Sequence, residues 1–342
     1  MQVKETKLFQ TPKFLIIQTA FIGDVVLGTA VAEKLHIFYP NSEIHFLLRK
    51  GNESLLINHP FIKQVLVWDK SKNKQQNLWK MISIVRQEKF THVINLHRFA
   101  TSGIITLFSG APNKIGFDKN PFSFFYTHKT MHEIAEPYSL NPTHEIQRNQ
   151  LLIKDLTDAY AAQPKLYPSK EDFEKTTQFK TGNYVCIAPS SVWYTKQFPI
   201  HKWVELIKAL PKDLNVYLLG GYGDKEMAET IIQQAYRGEN LCGQMNFLQS
   251  AALMKDAVMN FVNDSGPLHF ASAVNAPVTA VFCSTVPAFG FGPTNENGKI
   301  VEISEMLSCR PCGLHGKKEC PEGHFNCANN IKMEQLLWWI SK

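Results

Sequence analysis

The sequence predicts an α/β protein of two Rossmann-like units that face each other across a cleft. Short apolar runs alternate with helix-like segments through most of the 342 residues, the pattern of parallel strands joined by crossover helices. The alternation breaks once, at a proline- and charge-rich stretch, and then restarts. Several apolar runs end in a polar or glycine-bearing elbow that leads into a helix. Such elbows place ligand residues at the C-terminal ends of the strands.

In the first half, 14–17 reads as a buried strand and 24–38 as a helix stopped by Pro40-Asn41. Residues 43–48 and 65–67 read as strands, 78–88 as a helix, and 92–96 as a strand running into His97-Arg98. Residues 110–145 are rich in Pro, Asn, Phe and His and carry little periodicity, so loops are expected there. A helix follows over 147–156, which closes an N-terminal domain over 1–165. The stretch 163–182 holds Pro164 and Pro168 with many charges and no apolar period, and 166–182 is expected to be a linker. A second domain over 183–330 then repeats the scheme. Its strands are 184–187, 216–219, 257–262 and 278–282, and its helices 200–210, 225–235, 247–255 and 268–274. A last helix over 333–340 carries Leu336, Leu337, Trp338 and Trp339, an apolar face that must be buried somewhere.

Composition narrows the function classes. A hydrophobic fraction of 44% is ordinary for a globular chain. The net charge of +6, from 36 basic and 30 acidic side chains, suits an anionic substrate or a membrane surface but is too weak and dispersed for nucleic acid. Lys4 and Lys7 precede only the short 14–17 run, which is read as a strand and not a secretory leader. No segment approaches the ~18 apolar residues of a membrane span, so a cytoplasmic protein is expected.

The most informative stretch is Val262-Asn263-Asp264-Ser265-Gly266-Pro267-Leu268-His269. Asp264 or Ser265 can cap the helix that follows, and Pro267 fits its first turn. A helix N-terminus at the end of a strand offers free amides to an anion, most naturally phosphate. Phe21-Ile22-Gly23-Asp24 makes a similar elbow after the first strand. Asp24 reads either as a helix-start carboxylate facing the dipole or as a general base in the cleft. Ser190, Ser191 and Lys196 follow the strand 184–187; they form an ordinary polar loop or hold a diphosphate without metal. Gly220-Gly221-Tyr222-Gly223-Asp224 lacks dinucleotide spacing, though Asp224 or Glu226 has the chemistry to accept from a ribose.

His97, Arg98, Lys114, Lys119, Lys129 and Arg148 are interleaved with Phe117, Phe122, Phe124, Phe125 and Tyr126. That pattern is a solvated surface over an aromatic loop, or a docking face for a phosphorylated, partly apolar acceptor. Cys309, Cys312, Cys320 and Cys327 cluster near the end, the first two at zinc-ligand spacing. A structural zinc site and unliganded thiols both fit, and a cytoplasmic chain argues against disulfides. Either reading is structural, since four thiolates leave no open position on a metal.

Together these residues resemble glycosyltransferase family nine, the ADP-heptose:lipopolysaccharide heptosyltransferases, across nearly the whole chain. The likeness rests on Ile22-Gly23-Asp24-Val25-Val26, on Gly110-Ala111-Pro112 with Ile115-Gly116-Phe117, and on Lys196 with Phe198-Pro199 and Trp203. Its most specific part is the 263–269 stretch followed by Phe291-Gly292-Pro293. The resemblance implies a GT-B-type fold and an inverting, metal-independent transfer of heptose from ADP-heptose to the lipopolysaccharide inner core, with no catalytic cofactor.

By the same resemblance Asp24 is the general base, and Lys196 stabilises the leaving diphosphate with Ser190, Ser191 and the amides of Ser265 and Gly266. Met245 lies near the adenine, and Asp264 and His269 near the sugar-diphosphate. His97, Arg98 and Lys114 are then candidate contacts for a lipid A–core acceptor, with peripheral contact at the inner face of the inner membrane. A C-terminal helix that crosses back onto the first domain is common in GT-B proteins, and 331–342 is expected to do so. The chain departs from the family pattern at Gln18-Thr19-Ala20 and at Val192-Trp193-Tyr194-Thr195, both beside the expected site. The alternatives are another nucleotide sugar or acceptor, an epimerase-type activity, and a non-catalytic nucleotide-sugar-binding role. The cationic, aromatic first half argues against the epimerase, and the pairing of Asp24 with Lys196 against a non-catalytic protein.

Overall fold

Two parallel six-stranded sheets organise the protein. The structure, a computed structural model, describes residues 11–71 and 73–340. The first domain runs β1 (Lys13–Ile17), α1 (Ile22–Phe38), β2 (Glu43–Arg49), β3 (Ile62–Trp68), α2 (Lys74–Gln87), β4 (His92–Asn95), α3 (Ala100–Phe108), β5 (Asn113–Phe117), β6 (His128–Thr130) and α4 (Glu145–Ile153). After α5 (Lys170–Thr176), the second runs β7 (Tyr184–Ala188), α6 (Ile200–Ala209), β8 (Asn215–Leu218), α7 (Lys225–Ala235), β9 (Glu239–Asn240), α8 (Phe247–Asp256), β10 (Met259–Asn263), α9 (Gly266–Ala273), β11 (Val278–Phe282), β12 (Gly298–Glu302), α10 (Asn326–Asn329) and α11 (Met333–Leu336).

The sheet orders are β3-β2-β1-β4-β5-β6 and β12-β11-β10-β7-β8-β9. Read from its own first strand, each is the doubly wound order 3-2-1-4-5-6. The central strands β1, β7, β10 and β11 are buried along nearly their whole length, which explains their unbroken apolar runs. Helix α1 is apolar all round because it is covered on both sides. One face lies on the first sheet, and another meets α9 of the second domain and α4. Each fully buried Val, Leu, Ile or Phe in this layer contributes about 1.5–3 kcal/mol.

Three expectations need correction. Residues 110–145 hold the strands β5 and β6; β6 is a three-residue edge strand with exposed side chains, too short and polar to show a period. The segment 166–182, expected to be a linker without apolar period, carries a helix: Ser169 and Asp172 cap α5 reciprocally at 3.1 and 2.8 Å, and α5 packs on α8. The chain passes between the domains just before it, where the Lys165 amide donates to Thr29 Oγ1 at 3.0 Å and the Leu166 amide to the Ala273 carbonyl.

The third correction concerns the end. The last helix is one turn, Met333–Leu336, and it does not cross back onto the first domain. Leu336, Trp338 and Trp339 join the core of the second domain, Trp338 Nε1 donates to Thr279 Oγ1 at 3.2 Å, and Lys299 sits over the Trp338 ring. The apolar face is satisfied locally, so no long crossing helix is needed. Among the described residues no helix is long and apolar enough to cross a membrane.

Candidate active site

A doubly wound sheet opens a crevice where successive loops diverge, beside its first strand. Here the crevices lie between β1 and β4 and between β7 and β10, and they face each other. Together they enclose a cavity of about 510 Å³. Phe21, Gly23, Asp24 and Arg49 line it from the first domain. The second supplies Ser190, Ser191, Lys196, Met245, Asp264, Ser265, Gly266 and His269. All nine residues expected to form the catalytic and donor site thus come together on one cavity.

Its floor is the meeting of two helix N-termini. Asp24 stands in the first turn of α1, and its Oδ2 accepts the Phe21 amide at 3.2 Å. The helix-start contact and the place in the cavity are therefore compatible, since Asp24 makes the first and also lines the second. Its pKa is raised to about 6, by burial first and the Glu145 carboxylate second, after the Phe21 amide and Lys196 have offset part of the rise. A carboxylate with that proton affinity is suited to general base work near neutral pH.

Opposite lies Lys196, in the short turn Tyr194–Lys196. Its Nζ is 2.7 Å from Asp264 Oδ2, which also accepts from Thr285 Oγ1 at 2.6 Å. Buried Asn263 organises this half. It accepts the Phe198 amide at 2.9 Å and donates to the carbonyls of Pro189 and Ser190 at 2.7 and 3.3 Å. Ser265 is the N-cap residue of α9, with Pro267 in the first turn, so the helix presents backbone amides to the cavity. Buried His269 is held neutral, its pKa lowered to about 3 mainly by desolvation.

Beyond this polar centre the cavity becomes apolar, with Leu219, Met245, Phe247, Met254 and Phe270. Gly220-Gly221 forms one edge, where Asp224 accepts the Gly221 amide at 2.8 Å. A flat heterocycle with a sugar hydroxyl face matches such a slot.

Among the acceptor candidates, His97 follows the C-terminal end of β4 without lining the cavity, its Nδ1 3.1 Å from Thr19 Oγ1. Burial first, then Lys70 and Arg98, pull its pKa down to about 3. Arg98 stands beside it. Lys114 is not brought to the site: it lies near the N-terminal end of β5, with its ammonium on the Ala111 carbonyl at 2.8 Å. Arg148 is not part of a cationic surface either. It is buried, donates to Glu145 at 2.7 Å, and crosses the domain boundary to the Phe289 carbonyl at 2.7 Å.

Sequence reasoning missed Arg49, Lys70 and Glu145. Arg49 ends β2 and stacks over the Phe21 ring. Lys70 follows β3, donates to the Thr19 carbonyl at 3.0 Å, and is depressed to about 8 by burial. Both stand at C-terminal strand ends, which was the available signal. Leu314 and His315, from inside the cysteine cluster, also reach the cavity; the tail is therefore part of the site's wall.

The sequence model of Glycosyltransferase family 9 (heptosyltransferase) matches residues 78–324. Lipopolysaccharide heptosyltransferase 1 of Campylobacter coli is 23% identical, over 95% of this chain and 97% of the relative. Lipopolysaccharide core heptosyltransferase OpsX of Haemophilus influenzae is also 23% identical, over 96% and 93%. The crystal structure of E. coli ADP-heptose LPS heptosyltransferase II superposes with a TM-score of 0.78 at 19% identity, over 96% of this chain and 97% of that one. A family 9 glycosyl transferase from Veillonella parvula gives 0.75 at 20% identity, over 85% of each. The fold is of the GT-B type.

Proposed function

The chain belongs to glycosyltransferase family 9 (heptosyltransferase) and is a glycosyltransferase; we propose that it moves a heptose from ADP-heptose to the inner core of lipopolysaccharide, with inversion and without a metal. One observation carries the reading. A carboxylate with a pKa near 6 comes from one domain, a lysine and a helix N-terminus come from the other, and all face the same cavity.

Asp24 removes the proton from an acceptor hydroxyl as that oxygen attacks the anomeric carbon. The bond from that carbon to the diphosphate breaks on the opposite face. The released charge falls to Lys196, Ser190, Ser191 and the amides of Ser265 and Gly266, groups already in place before the reaction. The apolar slot at Met245 takes the adenine, and Asp264 and His269 border the sugar-diphosphate. The acceptor enters past His97 and Arg98, with Arg49 and Lys70 beside them as counter-charges for its anionic groups. The relatives' names point to a lipopolysaccharide acceptor, and such an acceptor is membrane-anchored. Exposed Phe99, Phe124 and Phe125 are the first-domain side chains suited to peripheral contact with the cytoplasmic face of the inner membrane.

The test is turnover with ADP-heptose and a truncated core acceptor in magnesium-free buffer, with the product's anomeric configuration read by NMR. An inverted glycosidic product supports the reading. Absence of transfer with this donor, beside transfer from another nucleotide sugar, overturns the assigned substrate.

A further inference from the structure

From β12, which ends at Glu302, to α10, which begins at Asn326, the chain has no helix or strand. This long loop carries two histidines that face different ways. His324 lines a small chamber with the four loop cysteines, which are free thiols; among the described residues no three such side chains are grouped for a metal ion. His315 lines the large cavity instead, beside Leu314. The backbone explains the difference. Gly313 and Gly316 have φ angles of +76° and +79°, a conformation that suits glycine, and they put Leu314 and His315 at the tip of a tight turn.

Both flanks of that turn are tied to the second domain. The Cys312 amide donates to the Ser284 carbonyl at 2.9 Å. Thr195 donates its amide to the Lys317 carbonyl at 3.1 Å, and its Oγ1 accepts the Lys317 amide at 2.8 Å. Gly316 packs so closely that a Cβ there would stand 3.0 Å from both Lys196 Cγ and Thr195 Oγ1. The tip is therefore held against the short turn that carries Lys196.

We propose, on the donor site assigned above, that His315 is a further donor-binding residue whose imidazole N–H donates to the sugar-bearing phosphate of the nucleotide sugar, next to Lys196. The charges call for such a donor. Among the described residues on the cavity wall the carboxylates are Asp24, Asp224 and Asp264, and the full cations are Arg49 and Lys196. Lys196 is already shared with Asp264 at 2.7 Å. A diphosphate brings more negative charge into this cavity, so it needs donors beyond one lysine and the amides of α9. Lys196, Arg98 and Asp264 are the charged groups that act on the His315 ring. That set places it at the end of the diphosphate nearer the first domain, where the sugar is attached. Partial burial, then Lys196 and Arg98, lower its pKa, so the ring is neutral and has one N–H to give. Among the described residues no hydrogen bond or ion pair engages that ring, which leaves the N–H to a ligand.

The test is titration calorimetry of the full chain with ADP, AMP and inorganic pyrophosphate. His315→Ala should weaken ADP about ten- to a hundredfold, the range for a lost hydrogen bond to a charged group. Pyrophosphate should weaken alongside it, and AMP, which lacks the second phosphate, much less. His315→Gln keeps an N–H donor and should recover most of the ADP affinity. The ring is exposed and unbonded, so neither variant should change the melting temperature of the free chain. Equal losses for ADP and AMP would overturn the phosphate contact. Unchanged ADP affinity would overturn it too, and a raised acceptor KM beside that result would place His315 on the acceptor. Pyrophosphate carries neither base nor sugar. A wild-type chain that binds it but not ADP would therefore count against the adenosine donor, while the His315 comparison would still be read on pyrophosphate.

Discussion

Gly23 on α1 lies so close to His269 on α9 that a Cβ on the glycine would stand 2.6 Å from His269 Cδ2. The contact is reciprocal, since a Cβ on Gly266 would come within 2.4 Å of Ile22 Cδ1. Two glycines thus let the first turns of α1 and α9 touch, and this contact sets Asp24 across from the amides of Ser265 and Gly266. Gly23→Ala is expected to cost about 1–3 kcal/mol in stability, as other overpacked sites do. Its kcat should fall beyond what the unfolded fraction explains. The His269 ring is buried and cannot swing away, so His269→Ala in the same chain should recover stability. Urea unfolding of the four members of this cycle decides it; additive effects would mean the two residues do not clash.

Lys196→Ala should lose about 2–4 kcal/mol of transition-state stabilisation, roughly 30- to 1000-fold in kcat/KM. Asp264 would be left buried with Thr285 as its remaining side-chain partner, so a modest fall in melting temperature should accompany the loss. Wild-type turnover should be the same with magnesium or manganese added or omitted. Strict dependence on an added divalent ion would contradict the role given to Lys196.

The pH dependence follows from Asp24. The base works when ionised, and its folded pKa is about 6, so kcat/KM should rise with pH through about 6 and flatten above. Glu145 is the second cause of the upward shift, so Glu145→Gln should move this acid limb to lower pH. The stability sign is opposite to that of a salt-bridged carboxylate. Folding favours protonated Asp24, so its contribution is fully present below the unfolded value of 3.8 and is lost as pH rises through about 6. A limb unchanged by Glu145→Gln would show that another group titrates.

Arg148 is the buried strut between the domains. Arg148→Met should destabilise by about 3–5 kcal/mol, because Glu145 loses one of its two buried partners, with His132 at 3.7 Å remaining, and the Phe289 carbonyl loses its donor. A change below about 1 kcal/mol in urea unfolding would show that the strut contributes no more than a surface pair.

Much of this was legible in the sequence, for reasons that particular residues show. Central strands such as Phe14 to Ile17 are buried on both faces, so their apolar runs stand out. Asp24, Lys196 and Asp264 could be found because each follows such a strand through a turn. Edge strands β6 and β12 carry exposed or half-buried side chains and leave no such trace. Glu145 acts on Asp24 only through the packing of α4 against α1, which no local pattern encodes. Lys114 looked like part of a cationic face because neighbours in sequence were grouped, whereas strand direction decides which end of the sheet a residue occupies. Trp338 and Trp339 announced that they must be buried without saying against what. Deleting 333–342 should accordingly loosen the second domain alone, and hydrogen-exchange changes in 13–153 would contradict the packing described.

The central claim is that Asp24 acts on the acceptor and not in donor binding. Asn keeps an oxygen for the Phe21 amide and removes only the base, so Asp24→Asn should fold as well as wild type at pH 8. Measuring turnover and ADP-heptose affinity on this variant tests the claim most directly. The account predicts a loss of about 10²–10⁴ in kcat, with donor affinity within a few-fold of wild type. Turnover within a few-fold of wild type would leave Asp24 as a helix cap and contradict the account.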